Sequence, residues 1–453
     1  MNKMKRTGLW FCALLLFFFL AACDNDGGTM PPIPGSGSSS ETVINSSSSG
    51  GSIPGHSFIG VGANPTMIDS WYLEWKARWY VTYEDDLDKG LILDPVYNIF
   101  TYNGLSPARI KWDGTSNGCS MIKGECTVSE GIGYGMLISL FQGDIEVFHR
   151  LYQFAMGMMT YSTSGTNRLL YWISDSFNGS KDGSAATDAD LDIAAALILA
   201  SMKYRADAPA VADEYLGWAK EVANSLWNQL VEGNCNANYL VCSGNSAMWF
   251  PPAKDSQRDG IFNLSYFSPV AYRLFAMVDP AHNWQAVIDA NYDYMIKVQA
   301  TGAGLLPDWS NQAGEAAPAP NGTSAQSYNA YDKEALRIGW RIAWDYYWFG
   351  DAKAKQVLDG MANFVVGFTG GDVSKIPEKT FLIDGTVSPT RTVIVNAHLG
   401  SYCLMGSASY SDWYAACQAA FNGKGWNSSY GYYTQILQLM FGQLMNGKYQ
   451  KPF

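Results

Sequence analysis

The sequence predicts an all-α protein whose helices pair and close into a ring, and three observations carry that prediction. From about residue 56 onward, apolar residues recur at helical spacing in runs separated by polar, Gly-rich or Pro-rich loops. Alternating patterns of the kind a half-buried strand shows are scarce. No exact internal repeat is present, which argues for helix pairs closing on themselves rather than for an open solenoid.

Residues 1–22 read as a secretion signal: Lys3, Lys5 and Arg6, an apolar run from Leu9 to Leu20, then Leu20-Ala21-Ala22-Cys23. That ending resembles a bacterial lipobox, in which Cys23 becomes the lipid-modified first residue. The mature chain is therefore expected to hang from a membrane by its N-terminus, facing the periplasm or the cell exterior, without a transmembrane helix. Asp24 resembles an inner-membrane retention signal of some Gram-negative bacteria, but the choice of inner or outer membrane stays open. Residues 23–55 are Ser, Gly and Pro with almost no large apolar residue, and predict a flexible tether. Residues 56–453 carry the periodic pattern of the main domain. Helices are predicted over 130–142, 145–160, 189–204, 210–230, 268–278, 283–300, 334–349, 352–366, 394–406, 410–421 and 430–446.

The chain has 453 residues, 47% hydrophobic and 14% aromatic, enough to bury a large core. A formal charge of −11 excludes nucleic acid as a partner, because phosphate binding needs clustered Lys and Arg. Sixteen Trp and 27 Tyr are high counts. Most must pack the core, while any exposed in a groove would stack on sugar faces. Of eight cysteines, Cys12 lies in the signal and Cys23 in the lipobox. The other six fall into neighbours along the chain, Cys119 with Cys126, Cys235 with Cys242, and Cys403 with Cys417. This pairing closes the shortest loops among the roughly 15 that six cysteines allow, and disulfides fit export. His56, His149, His282 and His398 show no ligand spacing, so neither a metal nor another cofactor is implied.

Three predicted helix starts carry acids: Glu130 in Cys126-Thr-Val-Ser-Glu130-Gly-Ile-Gly-Tyr134-Gly, Asp188 and Asp190 in Ala186-Thr-Asp-Ala-Asp190, and Asp332 and Glu334 in Tyr331-Asp-Lys-Glu334. Each alone reads as helix capping. Thr127 to Glu130 fits a capping box, Thr187 suits an N-cap, and acids favour a first turn through the helix dipole. Brought together around one groove, they would make an acid/base hydrolase.

Ser129-Glu130-Gly-Ile-Gly-Tyr134-Gly-Met136 with Ala186-Thr-Asp188-Ala-Asp190-Leu-Asp-Ile-Ala194 resembles the two signature segments of glycoside hydrolase family 8. Tyr171-Trp172, Ser265-Tyr266-Phe-Ser-Pro269, Gly304-Leu-Leu-Pro-Asp308-Trp309 and Ala335-Leu-Arg337-Ile-Gly-Trp340-Arg341 agree with it, over about residues 60–450. The resemblance implies an (α/α)6 barrel with an acidic, aromatic-lined substrate groove and an inverting attack on β-1,4-linked polysaccharide. Such a reaction needs a protonated acid on the leaving oxygen and a carboxylate activating water from the opposite face, about 6.5–9.5 Å away.

By the same resemblance Glu130 matches the general acid, and its pKa must be raised to keep it protonated near neutral pH. Asp188 matches the acid that grips and distorts the sugar at the cleavage point, with Asp190 behind it. The base position departs from the family, which commonly shows Tyr-Asp-Ala-x-Arg. Aligning on Ala335, Arg337 and Arg341 makes Glu334 the base, and aligning on Tyr331-Asp332 makes Asp332 the base. Some members use an acid from the preceding loop, here Glu315, which ranks third. Trp172, Tyr266 and Trp309 match sugar-stacking or water-positioning residues, and Arg337 one that holds the base or the sugar. The expectation is a monomeric, lipid-anchored enzyme cutting β-1,4-glucan internally, with xylan, including reducing-end-acting cleavage of oligoxylan, and chitosan as alternatives. A non-catalytic glycan-binding lipoprotein that lost its base, and a helical scaffold for protein partners, are the readings from other classes.

Overall fold

The computed structural model describes residues 55–92, 105–114, 126–160, 168–178, 183–232, 235, 238–246, 260–319 and 328–453. The signal, the lipobox cysteine Cys23, most of the tether and Cys119 lie outside the described residues. In chain order the elements are α1 (Pro65–Trp79), β1 (Tyr80–Thr82), α2 (Tyr83–Asp88), β2 (Ala108–Ile110), β3 (Cys126–Val128), α3 (Ser129–Gln142), α4 (Ile145–Phe154) and β4 (Ile173–Asp175). Next come α5 (Thr187–Lys203), α6 (Pro209–Leu226), β5 (Ile261–Phe262), α7 (Pro269–Val278), α8 (Trp284–Gln299), β6 (Ser310–Asn311), α9 (Leu336–Phe349) and α10 (Ala352–Thr369). β7 (Lys379–Phe381), β8 (Val387–Thr392), α11 (Val395–Met405), α12 (Ser411–Lys424) and α13 (Tyr432–Met445) complete the chain.

The helices alternate between two environments. Helices α3, α5, α9, α11 and α13 are buried on nearly every side, so their sequences carry apolar and small residues all round instead of one stripe. Helices such as α4, α8 and α10 bury one face only and keep charged residues on the other. Packing contacts run from α3 to α5, α7, α9, α11, α13 and back to α3, which closes an inner ring. Each inner helix also packs on an outer one: α4, α6, α8, α10, α12 and, for α13, α1. The architecture is the expected (α/α)6 barrel. Among the described residues the strands form only two-stranded antiparallel ribbons, β1–β2, β3–β4, β5–β6 and β7–β8.

Close approach of the inner helices explains part of the glycine-rich motif. A Cβ on Gly133 would lie 3.1 Å from Asp192 Cβ and 3.3 Å from the Ala189 carbonyl, so α3 and α5 meet there backbone to backbone. A buried ion pair ties two of the inner helices. Arg341 holds Asp192 through both guanidinium nitrogens at 2.6 and 2.9 Å, and also donates to Ser265 O and Ser268 Oγ. The disulfides Cys235–Cys242 and Cys403–Cys417 form as expected, the second tying α11 to α12. No helix among the described residues is long and apolar enough to cross a membrane.

Two of the differences from the sequence expectation are an additional helix and a later helix start. Helix α1 is absent from the predicted set, although Asn64 caps it and Pro65 opens it. Its buried face is mostly Trp and Tyr (Trp71, Tyr72, Trp75, Trp79), residues of modest helix propensity whose helix is secured by packing on α13. Helix α9 starts at Leu336 rather than 334, which leaves Asp332 and Glu334 in the preceding turn.

Candidate active site

The inner helices present their N-terminal ends to a groove of about 530 Å³ at one end of the barrel. Each supplies a lining residue at or just before its first turn: Glu130 from α3, Asp188 from α5, Tyr266 before α7, Glu334 before α9, Ile394 before α11 and Tyr432 from α13. Trp112, Trp172 and Tyr433 add aromatic walls.

A capping box does not explain Glu130 or Asp188, although Asp188 Oδ1 accepts from the Ala189 N–H in the first turn at 3.0 Å. The N-cap of α3 is Val128, without a side-chain cap bond, and Thr127 instead receives a hydrogen bond from buried Arg109. The N-cap of α5 is Ala186, while Thr187 donates to Cys242 O at 2.6 Å. Glu130 and Asp188 are therefore free of capping-box duty. Ribbon β3–β4 aims them instead: Ser129 N donates to Trp172 O, and Trp172 N to Ser184 O, both at 2.9 Å. Gly131 leaves room at the acid, since a Cβ there would come 2.8 Å from the Tyr432 hydroxyl.

One cation organises the carboxylates. Arg337 Nη1 donates to Glu130 Oε2 at 2.8 Å, Asp188 Oδ2 at 2.9 Å and Tyr134 OH at 3.1 Å, and Nη2 donates to Glu334 Oε2. The side chain of Arg337 is 1% exposed and that of Asp188 2%, whereas Glu130 and Glu334 keep 21% and 31% open to the groove. Tyr432 OH reaches the other Glu130 oxygen at 3.2 Å, and Asn263 Nδ2 donates to Glu334 Oε2 at 2.8 Å.

Burial pushes the Glu130 carboxyl up to about 8; Arg337 pulls against it, while Asp188 and Glu334 push further upward. Burial likewise raises Asp188, to about 6, against the pull of Arg337 and Arg341. Three carboxylates share one guanidinium, and the mutual repulsion of the acids adds to burial in raising Glu130 and Asp188.

The other candidates fall elsewhere. Asp332 is turned from the groove and pairs with Arg391 at 3.3 Å, because its position in the turn faces β8 rather than Arg337. Glu315 is exposed beside β6, where Asn311 Nδ2 donates to it at 3.1 Å. Asp190 is buried behind the site and accepts from Leu170 N at 2.8 Å, two residues before Trp172. Trp172 and Tyr266 line the groove; Trp309 does not. Trp309 is buried and meets Tyr266 edge-on at 6.4 Å, so it supports that ring from behind. Sequence reasoning gave no role to Tyr134, Asn263, Tyr432 or Tyr433. Tyr134 stood inside the quoted motif, and the Tyr432-Tyr433 pair opening the last inner helix was the available signal for the others on α13.

The model of glycosyl hydrolases family 8 matches residues 101–448. The chain belongs to this family. Among its family 8 relatives, endoglucanase 2 of Ruminiclostridium josui is 35% identical over 242 residues, covering 52% of this chain and 46% of that protein. Endoglucanase C of Ruminiclostridium cellulolyticum is 34% identical over 241 residues, with the same coverage. The chain thus spans about half the length of the curated relatives it matches. Among solved structures, the apo β-1,3-1,4-glucanase from Paenibacillus sp. X4 superposes with a TM-score of 0.67 at 22% identity, over 88% of this chain and 96% of that one, which bears on the fold alone.

Proposed function

We propose that the protein is an inverting glycoside hydrolase that cuts β-1,4-linked glucan internally. The observation that carries this reading is the Arg337 fork, which sets Glu130 and Glu334 on its two nitrogens with Asp188 between them at the groove floor. In this reading Glu130, kept protonated by burial, donates to the leaving glycosidic oxygen. Glu334 is the general base that takes a proton from water attacking the opposite face of the sugar. Inversion needs the two carboxyls about 6.5–9.5 Å apart to accommodate that water. Asp188, at the centre, binds the sugar hydroxyls at the cleavage point, and Trp172 and Tyr266 supply ring faces along the chain.

The names of the relatives at 34–35% identity support glucan. Xylan is the second substrate reading, supported by 25% identity over 228 residues to a protein named reducing-end xylose-releasing exo-oligoxylanase Rex8A from Paenibacillus barcinonensis. Lys333 on the groove wall weighs against cationic chitosan. Release of reducing ends from mixed-linkage β-glucan, xylan and chitosan tests the reading. Glucan cleavage with an early fall in viscosity supports it, and folded protein that binds oligosaccharide but cuts none of the three overturns it in favour of a glycan-binding protein.

The same reading places the protein, as a monomer, on the cell envelope through a lipid on Cys23, with residues 23–55 giving it reach. The signal pattern of residues 1–22 and the exported-protein chemistry of the disulfides support this. Fatty-acid labelling that disappears in Cys23→Ser is the expected result; labelling that persists contradicts it.

A further inference from the structure

Glu334 is not held by a helix. It lies in the turn of residues 332–335, ahead of α9, so its aim depends on what fixes that turn. Asp308, distant in sequence and 2% exposed, grips the turn on both sides of Glu334. Its Oδ1 accepts from Asp332 N at 3.1 Å and from Ala335 N at 3.0 Å, while its own N–H donates to Ala330 O at 3.1 Å.

The neighbours of Asp308 serve the same carboxylate. Ser310 pairs with Phe262 across β5–β6, and the next residue, Asn263, donates its Nδ2 to Glu334 Oε2 at 2.8 Å. The amide is oriented by Ser265, whose N–H and hydroxyl both donate to Asn263 Oδ1, at 3.0 and 2.7 Å. Segment 308–311 thus secures the backbone beneath Glu334 directly and its carboxylate through Asn263. Asp308 itself is absent from the groove lining.

We propose that Asp308 is a positioning residue for the general base: by clamping the N–H groups of Asp332 and Ala335 it holds Glu334 in register with Arg337 and the water-attack side of the groove. The inference rests on the reading of Glu334 as the base. Burial pushes the Asp308 carboxyl well above the usual carboxylate range. Both N–H groups bond to its one oxygen Oδ1, and the amide oxygen of asparagine can accept the same pair.

The test is steady-state kinetics of the full chain on mixed-linkage β-glucan, with cellohexaose binding measured alongside, for Asp308→Asn, Asp308→Ala and Glu334→Gln. Asp308→Asn is expected to keep kcat within about threefold. Asp308→Ala is expected to lose about 100-fold in kcat, the cost of misplacing a reacting group by an ångström, with KM and cellohexaose binding within about threefold. Asp308→Ser, too short to span both N–H groups, carries the same expectation if the alanine variant does not fold. An inactive Glu334→Gln beside a fully active Asp308→Ala overturns the inference alone, as does a loss of binding that matches the loss of kcat. Full activity in Glu334→Gln overturns the base assignment and this inference with it.

Discussion

Arg337 donates to Glu130 at 2.8 Å from the same guanidinium nitrogen that holds Asp188 at 2.9 Å. A buried cation with one charge thereby serves three carboxylates, counting Glu334 on its second nitrogen. Burial, with the negative charge of Asp188 and Glu334 beside it, pushes the Glu130 carboxyl up to about 8.

Removing the cation tests that balance. Arg337→Met strands buried carboxylates, and unfolding free energy is expected to fall by about 3–5 kcal/mol at neutral pH, measured by denaturant titration. The deficit should shrink in acid, where the carboxylates protonate. Activity should fall by at least about 100-fold, since lysine or methionine cannot reproduce the fork.

The pH dependence follows with a definite sign. As the proposed general acid, Glu130 would act when protonated, so kcat/KM should fall as pH rises through about 8, giving the alkaline limb of the profile. Because its folded pKa is raised above that of the unfolded chain, its stabilising contribution is complete below the usual carboxylate range and is lost as pH rises toward about 8. Asp188 adds a loss of the same sign, complete by about 6. Glu130→Gln should lose about 10²–10⁴ in kcat and show a smaller drop in Tm between acid and pH 8 than the parent.

The acids named for the base separate by substitution. Glu334→Gln should cost about 10²–10⁴ in kcat. Asp332→Asn weakens its contacts with Arg391 and His398, away from the groove, and should stay within about tenfold, and Glu315→Gln, exposed beside β6, close to the parent. Rates at saturating mixed-linkage β-glucan check all three.

The sequence made the inner helices legible because a helix buried all round writes an unbroken apolar run, as in Ile193 to Ala200 of α5. It made Glu130 and Asp188 legible through the motifs around them. It could not separate Asp332 from Glu334, two residues apart in one turn. Their directions are set by partners remote in sequence, Arg391 for Asp332 and Asn263 for Glu334. For the same reason Trp309 looked equivalent to Trp172. Whether a ring faces the groove or supports another ring depends on tertiary packing, and edge contact with Tyr266 decides it here.

That difference gives a further prediction. Trp172→Ala should raise KM by about tenfold with a smaller change in kcat, because it removes a groove wall. Trp309→Ala should instead lower stability by about 3–5 kcal/mol, as loss of a buried ring does, read by thermal or chemical unfolding.

Inversion requires the proposed acid Glu130 and base Glu334 to act from opposite faces of the scissile bond. Proton NMR of the first reducing ends released from mixed-linkage β-glucan, before the anomers equilibrate, reads this stereochemistry. The α-anomer is the expected first product. Release of the β-anomer would mean a retained configuration and would contradict the assignment of Glu334 as the base that activates water.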